Sequence, residues 1–197
     1  MNLWEIEREY AGKGYKLICG ADEAGAGPLA GAVYAAAVIL PLGLEIEGLN
    51  DSKKLTEKKR ETLFPVIQEK AIAWAVHWID AEEIDETNIL AARLKAMDLC
   101  INQMEPEPDF ALIDGNRDKG IRCPHLAVVK GDSRSANIAA ASILAKVSRD
   151  RYMIAMDEIY PEYGFAQHKG YPTKAHYEAL RKYGACPIHR KTFLKNV

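Results

Sequence analysis

Apolar positions along the chain change period several times, and each change marks an expected element. Leu3, Ile6 and Tyr10 recur at helical spacing, which predicts a helix over residues 2–11. Leu17–Ala21 is a short apolar run entering Asp22, and Gly31–Leu40 is a second. Both read as buried strands, with the glycines and proline of 25–28 as the turn between them. Thr56 can cap a helix to about Lys70 despite Pro65, although Lys59 stands where the acid of a capping box belongs. Ala71–Ile79 predicts a strand. Helices follow near 81–86 and 88–104, the second with Ile89, Ala92, Ala96, Leu99 and Met104 along one side. Asp109–Ile113 and Leu126–Val129 predict short strands that end at Asp114 and near Asp132. A long helix over about 135–158 begins Ala-rich, which suits close packing on a sheet, and a last helix spans about 173–183. This order predicts a mixed central sheet with helices on its faces, an α/β or α+β layer fold. No repeat, low-complexity tract or linker divides the chain, so residues 1–197 read as one domain with a helical C-terminal segment from about 160.

Composition removes several classes. The 197 residues are 48% hydrophobic and 27% charged, a globular balance that excludes disorder and collagen-like sequence. Ala24 to Leu44 carries no charge, but glycines and prolines interrupt it. Only Ala32–Leu40 is continuously apolar, too short for a membrane helix. The N-terminus is charged from Glu5 on, unlike a secretory signal. Cys19, Cys100, Cys123 and Cys186 lie far apart without zinc spacing, so reduced thiols and a cytoplasmic location are expected. Net charge is only −2. Its distribution is uneven: residues 168–197 hold seven bases (Lys169, Lys174, Arg181, Lys182, Arg190, Lys191, Lys195) against Glu178 alone, leaving the rest at −8. An acidic body with a basic end suits a metal site beside a polyanion-binding surface, and equally suits a solvated basic helix and tail.

The acids at strand ends carry the sharper signal. Asp22 and Glu23 follow the first apolar run, Asp114 follows Phe110–Ile113, and Asp132 follows Val128–Gly131. Each alone reads better as a helix cap or a turn closure. Together, acids past the ends of core strands can meet at one sheet edge, where they repel unless cations sit among them. Hard oxygen donors favour Mg²⁺ or Mn²⁺ over zinc, and two such ions about 4 Å apart form the clamp for in-line displacement at phosphorus. Adjacent strand residues point to opposite faces, so Asp22 and Glu23 are expected to share a site only if the strand ends or bulges there.

At this point six segments resemble ribonuclease HII in that family's order: GADEAGAGPLAG (20–31), NDSKKLTEKKRE (50–61), IDGN (113–116), KGDSRSANIAAASILAKVSRD (130–150), YGFAQHKGYPT (163–173) and HRKTF (189–193). The resemblance runs from about residue 16 to 194. It implies an RNase H-like fold and an endonuclease that uses Mg²⁺ or Mn²⁺, two ions when substrate is bound. The implied substrates are the RNA strand of RNA–DNA hybrids and ribonucleotides embedded in duplex DNA, cut on the 5′ side to leave a 3′-OH and a 5′-phosphate. It implies Asp22, Glu23, Asp114 and Asp132 as metal ligands and catalytic residues. It also implies Gly25, Ala26 and Gly27 as the loop whose backbone meets the 2′-OH, and Tyr171 as the ring that stacks on the next deoxyribose. Tyr163 is its nearest competitor for that role. The family usually has Arg between the two glycines; Ala26 removes its phosphate contact while the glycines keep the close backbone approach, so reduced activity is expected. Ala32, where proline is common, is a smaller departure. The related ribonuclease HIII family has Glu at the fourth acidic position and a domain before its Asp-Glu pair. Asp132 and the 21 residues before Asp22 do not match it.

Lys53, Lys146 and Arg149 are candidate phosphate contacts, as are Ser133, Ser135 and Asn137 near a helix N-terminus. Lys146 and Arg149 fit equally as partners of acids inside the domain, Asp150 among them. His168 and His189 fit structural or substrate-contact roles better than general-base catalysis. A monomer without membrane contact is expected. The competing functional class is a hybrid-binding protein with little or no turnover.

Overall fold

The computed structural model describes residues 3–195. The chain runs α1 (Glu5–Gly12), β1 (Ile18–Ala24), β2 (Val33–Ile39), α2 (Glu57–Lys70), β3 (Ala73–Ile79), α3 (Ala81–Glu86), α4 (Ile89–Gln103), β4 (Phe110–Asp114), β5 (His125–Val128), α5 (Ala136–Ile159), α6 (Phe165–His168) and α7 (Lys174–Tyr183). Helix starts follow side-chain chemistry. Thr56, Asp80, Asn88, Ser135 and Thr173 each accept the backbone N–H three residues on, which satisfies a donor the helix cannot.

The strands form one sheet in the order β3-β2-β1-β4-β5. β1 is antiparallel to β2 and parallel to β4; β2–β3 is antiparallel and β4–β5 parallel. This is the expected mixed sheet with helices on both faces. β2 is buried throughout, as its unbroken apolar run VYAAAVI requires. On one face Cys19, Ala21 and Ala35 pack with Met97, Cys100 and Ile101 of α4. On the other, Ala36 and Val38 pack with α2 and with Ala140, Ile143 and Leu144 of α5. The small residues of α5 bring it hard against β1: a Cβ on Gly20 would fall 2.2 Å from the Ile138 backbone nitrogen. A separate cluster around Met153, Tyr163, Phe165 and Leu180 attaches the C-terminal segment.

Two expectations change, and one element is new. The first helix begins at Glu5, and the expected start at Asn2 lies outside the described residues. β1 continues through Asp22 and Glu23 to Ala24 instead of ending at Ala21, because Tyr34–Ala36 of β2 go on pairing with it. The one-turn helix α6 carries too short a pattern to be read from the sequence. Among the described residues no helix is long and apolar enough to cross a membrane.

Candidate active site

Asp22 and Glu23 occupy the end of β1, opposite Ala36 and Ala35 of β2. The pairing with β2 is unbroken there, so the expected strand end or bulge is corrected. Alternation puts Asp22 on the α5 side, with Ala36, and Glu23 on the α4 side, with Ala35. They share a site for a different reason. β4 pairs with β1 only as far as Ala21 and Ile113, so Asp114 closes β4 beside the point where both acids emerge. Asp132 sits in the 3₁₀ turn Gly131–Ser133 that leads to α5. That turn is tied to β4 by Gly131, whose N–H donates to Asp114 Oδ1 at 2.7 Å.

The electrostatics follow from this crowding. Burial, then repulsion from Glu23 and Asp114, holds the Asp22 carboxyl well above the usual range. Burial also raises Glu23; Arg93, 3.3 Å away, opposes this and Asp114 adds to it. Asp132 is raised by burial, then by Asp114 and Asp51. Lys53 is lowered by burial but raised more by Asp22, Asp132, Asp51 and Asp114, and stands 3.8 Å from Asp132. Glu23 Oε2 is buried without a hydrogen-bond partner. A desolvated, self-repelling set of hard oxygens with one orphaned oxygen fits a divalent cation. Among the described residues, no three His, Cys, Asp or Glu side chains are already closed into a metal cage.

The loop Gly25-Ala26-Gly27 continues from β1 and is held from behind by the fully buried Arg190, while the fully buried Arg149 holds the chain just after it. Arg190 donates to the carbonyls of Gly25 at 2.6 Å, Ala26 at 3.0 Å, Pro28 at 2.9 Å and Gly31 at 2.9 Å. Arg149 donates to the carbonyls of Ala30 and Ala32, both at 3.1 Å, and of Lys169 at 3.0 Å. Burial, then the neighbouring Arg149, pushes Arg190 down to about 9. Gly25 has φ +95°, and a Cβ there would lie 1.9 Å from Arg149 Nε, so only glycine fits. Across the loop Tyr171 is 38% exposed, and a Cβ on Gly27 would lie 4.0 Å from its ring. Tyr163 is buried and donates its hydroxyl to Gly184, so it is no competitor for the exposed role.

Several expected phosphate contacts are not placed for that task. Arg149 is corrected: its guanidinium is enclosed and engaged with carbonyls. Arg190, counted among the basic residues of the C-terminal end, is enclosed in the same way. Ser135 caps α5 and donates to the buried Glu7, while Asn137 bridges Leu40 N–H and the Ile18 carbonyl; both are buried. Ser133 donates to the Lys130 carbonyl. Lys146 pairs with Asp150 at 2.8 Å and lies 5.7 Å from the Tyr171 ring. Lys53 keeps an exposed ammonium at the acid edge. Lys174, Arg181, Lys182, Lys191 and Lys195 are exposed. The sequence reading missed Arg93 and the loop-holding role of Arg190. Neither has a local signal, since one reaches Glu23 from α4 and the other acts across more than 150 residues. A cleft of about 850 Å³ beside Trp4, Arg8 and Leu44 shares no residue with the acid edge.

The family model described as Ribonuclease HII matches residues 19–196. A protein named Ribonuclease HII from Acetivibrio thermocellus is 57% identical over 190 residues, 96% of this chain and 74% of that one. A protein of the same name from Caldicellulosiruptor bescii is 52% identical over 196 residues, 100% of this chain and 95% of that one. Among solved structures, the ribonuclease H2 from Pyrococcus horikoshii OT3 superposes with a TM-score of 0.75 at 28% identity, covering 90% of this chain and 93% of that one.

Proposed function

The chain belongs to the ribonuclease HII family, and from that premise we propose that it is an endonuclease for the RNA strand of RNA–DNA hybrids that also cuts 5′ to ribonucleotides embedded in duplex DNA. The observation that carries the reading is the acid edge: Asp22, Glu23 and Asp132, raised by burial and by neighbouring acids, gathered beside Asp114, with Glu23 Oε2 left unpartnered. These four side chains would hold two Mg²⁺ or Mn²⁺ ions with substrate bound. The chemistry that such ions supply is activation of water and relief of charge at phosphorus, leaving a 3′-OH and a 5′-phosphate.

The chain's own groups do the rest. Arg190 and Arg149 engage the carbonyls of the 25–32 loop from inside, which leaves the exposed Gly27 backbone free to approach a ribose 2′-OH. Tyr171, standing across from Gly27, offers a face to the following sugar. Lys53 brings an exposed cation to the phosphate beside Asp132. Ala26 offers no charge where the family commonly has Arg, so the loop selects by backbone and is weakened by the missing phosphate contact. The domain acts as a monomer on a duplex laid along the exposed lysines of its C-terminal end.

The test is cleavage of a duplex with one ribonucleotide beside an all-DNA duplex, with Mg²⁺, with Mn²⁺ and with excess chelator. Single-site, metal-dependent cutting of the first substrate alone is expected. Equal cutting of all-DNA duplex, or full activity in chelator, would sink the reading. Binding without cutting in every metal would favour a hybrid-binding protein.

A further inference from the structure

Behind Tyr171 lies a set of hydrogen bonds that the cleavage chemistry leaves unused. The Cys186 N–H donates to His189 Nδ1 at 3.0 Å. That nitrogen therefore carries no proton, and the His189 hydrogen resides on Nε2. His189 Nε2 faces His176 Nε2 at 3.0 Å, so His176 must accept there and bear its own hydrogen on Nδ1. His176 Nδ1 lies 3.0 Å from the Tyr171 carbonyl, to which it donates. The direction of the chain is thus fixed end to end by one backbone N–H. His176 and His189 are almost wholly buried, which favours neutral rings, and burial lowers both.

The same residue is tied on its other sides. The Tyr171 N–H donates to the His168 carbonyl at 2.9 Å, and the Thr173 N–H donates to the Tyr171 carbonyl at 2.9 Å. Gly170, with φ +81°, donates its N–H to His168 Nδ1, and its carbonyl accepts the Leu29 N–H at 2.9 Å. A Cβ on Gly170 would lie 2.5 Å from the Ala30 carbonyl oxygen. The tyrosine segment and the glycine loop are therefore seated on each other, and the carbonyl of Tyr171 is the point at which a side chain can adjust that seating.

We propose that His176, oriented by His189, is a positioning residue that sets Tyr171 against Gly27 and so governs the preference for a deoxynucleotide after the ribonucleotide. This rests on the reading of Tyr171 as the ring that meets the following sugar. His176 touches no substrate; it acts through the Tyr171 backbone.

The test compares His176→Phe, His176→Asn and Tyr171→Ala on a single-ribonucleotide duplex and on a uniform hybrid. His176→Phe removes both ring nitrogens. It is expected to lower kcat/KM on the single-ribonucleotide duplex about tenfold while the uniform hybrid falls by less than about threefold. In His176→Asn an amide N–H stands near the Nδ1 position, and the ratio is expected to return to within about threefold of the parent. Equal losses on both substrates, or no recovery with Asn, overturn the proposal. Tyr171→Ala separates the layers. If it leaves the ratio unchanged, the reading of Tyr171 is wrong and the proposal falls with it; if it shifts the ratio while His176→Phe does not, only the proposal fails. A second measurement needs no variant. Imidazole ¹⁵N spectra of the parent protein at neutral pH should show His176 protonated on Nδ1 and His189 on Nε2, and the opposite tautomers would overturn the relay.

Discussion

At the strand ends, Asp22, Glu23, Asp114 and Asp132 crowd together beside Lys53 and Arg93, and Glu23 keeps a buried oxygen with no partner. Beneath the tyrosine segment, Arg149, Arg190, His176 and His189 are equally enclosed, yet their ring and guanidinium nitrogens meet backbone carbonyls, a backbone N–H or one another. The first region is polar and incomplete; the second is polar and closed. An incomplete cluster is destabilised until something binds, so binding can be strong and removal of an acid can relieve strain. A closed cluster holds its shape without a ligand, and removal of one member leaves the others desolvated and unpaired.

The widest separation of the two regions is expected from single acid substitutions. Asp22→Asn, Asp114→Asn, Asp132→Asn and Glu23→Gln should each lower cleavage by about 10³-fold or more. Asp22→Asn should at the same time raise the melting temperature at pH 7, because burial and two acidic neighbours disfavour the charged form. A melt lower than the parent's would mean that the acids are not in conflict. Next in size is Arg190→Met, which strips donors from the carbonyls of Gly25, Ala26, Pro28 and Gly31. A loss of about 3–5 kcal/mol in denaturant unfolding is expected, and a loss below about 1 kcal/mol would show that water can replace the guanidinium.

Acid should pull the two regions in opposite directions. His189 is pushed down to about 4 by burial and by His176. Between the ordinary imidazole value and that point the unfolded chain takes up a proton that the folded one refuses, so stability falls with pH, by up to about 3 kcal/mol from this ring. His176, also lowered, acts the same way. Asp22, Glu23 and Asp132 are raised, so the folded state takes up their protons first and gains stability as pH falls through the same kind of window. Unfolding curves from pH 7 to pH 4 should therefore become flatter on the falling side in His189→Phe and lose the gain in Asp22→Asn. Parallel curves for both variants would deny the opposition. The smallest effect sits at the border between the regions. Ala26→Arg should restore a charge-assisted phosphate contact worth about 1.5–3 kcal/mol, raising kcat/KM on a single embedded ribonucleotide more than on a uniform hybrid. If both substrates respond equally, the side chain does not take the part proposed for it beside the 25–27 loop.

The two regions also differ in how far the sequence discloses them. Acids placed just past apolar runs announce the strand-end cluster, and the cap at Thr56 announces its helix. Even there the reason for convergence was not readable. β1 runs on past Asp22, and what gathers the acids is the earlier end of β4, a fact of pairing between distant segments. The closed cluster is nearly silent. Arg190 looks like a surface base in a basic stretch, and Asp150 beside Arg149 suggests an ion pair, because guanidiniums satisfied by distant backbone carbonyls leave no mark of their own in the sequence. Ser135 and Asn137 mislead similarly: a helix N-terminus rich in hydroxyl and amide groups suggests anion binding, but Glu7 of α1 already occupies it.

Gly20 gives the acid edge a property of its own. The strand and helix that carry Asp22 and lead in from Asp132 meet there with clearance for a hydrogen atom and nothing larger. Such a seam works as a machined stop: it fixes the span between the two carboxylates through main-chain contact, independent of any side chain at the site. Wear or adjustment of that span would then come from silent-looking interior positions, where a single added methyl acts as a shim beneath α5. On the proposed two-ion reading, residue 20 bears on ion preference, as do the acids themselves.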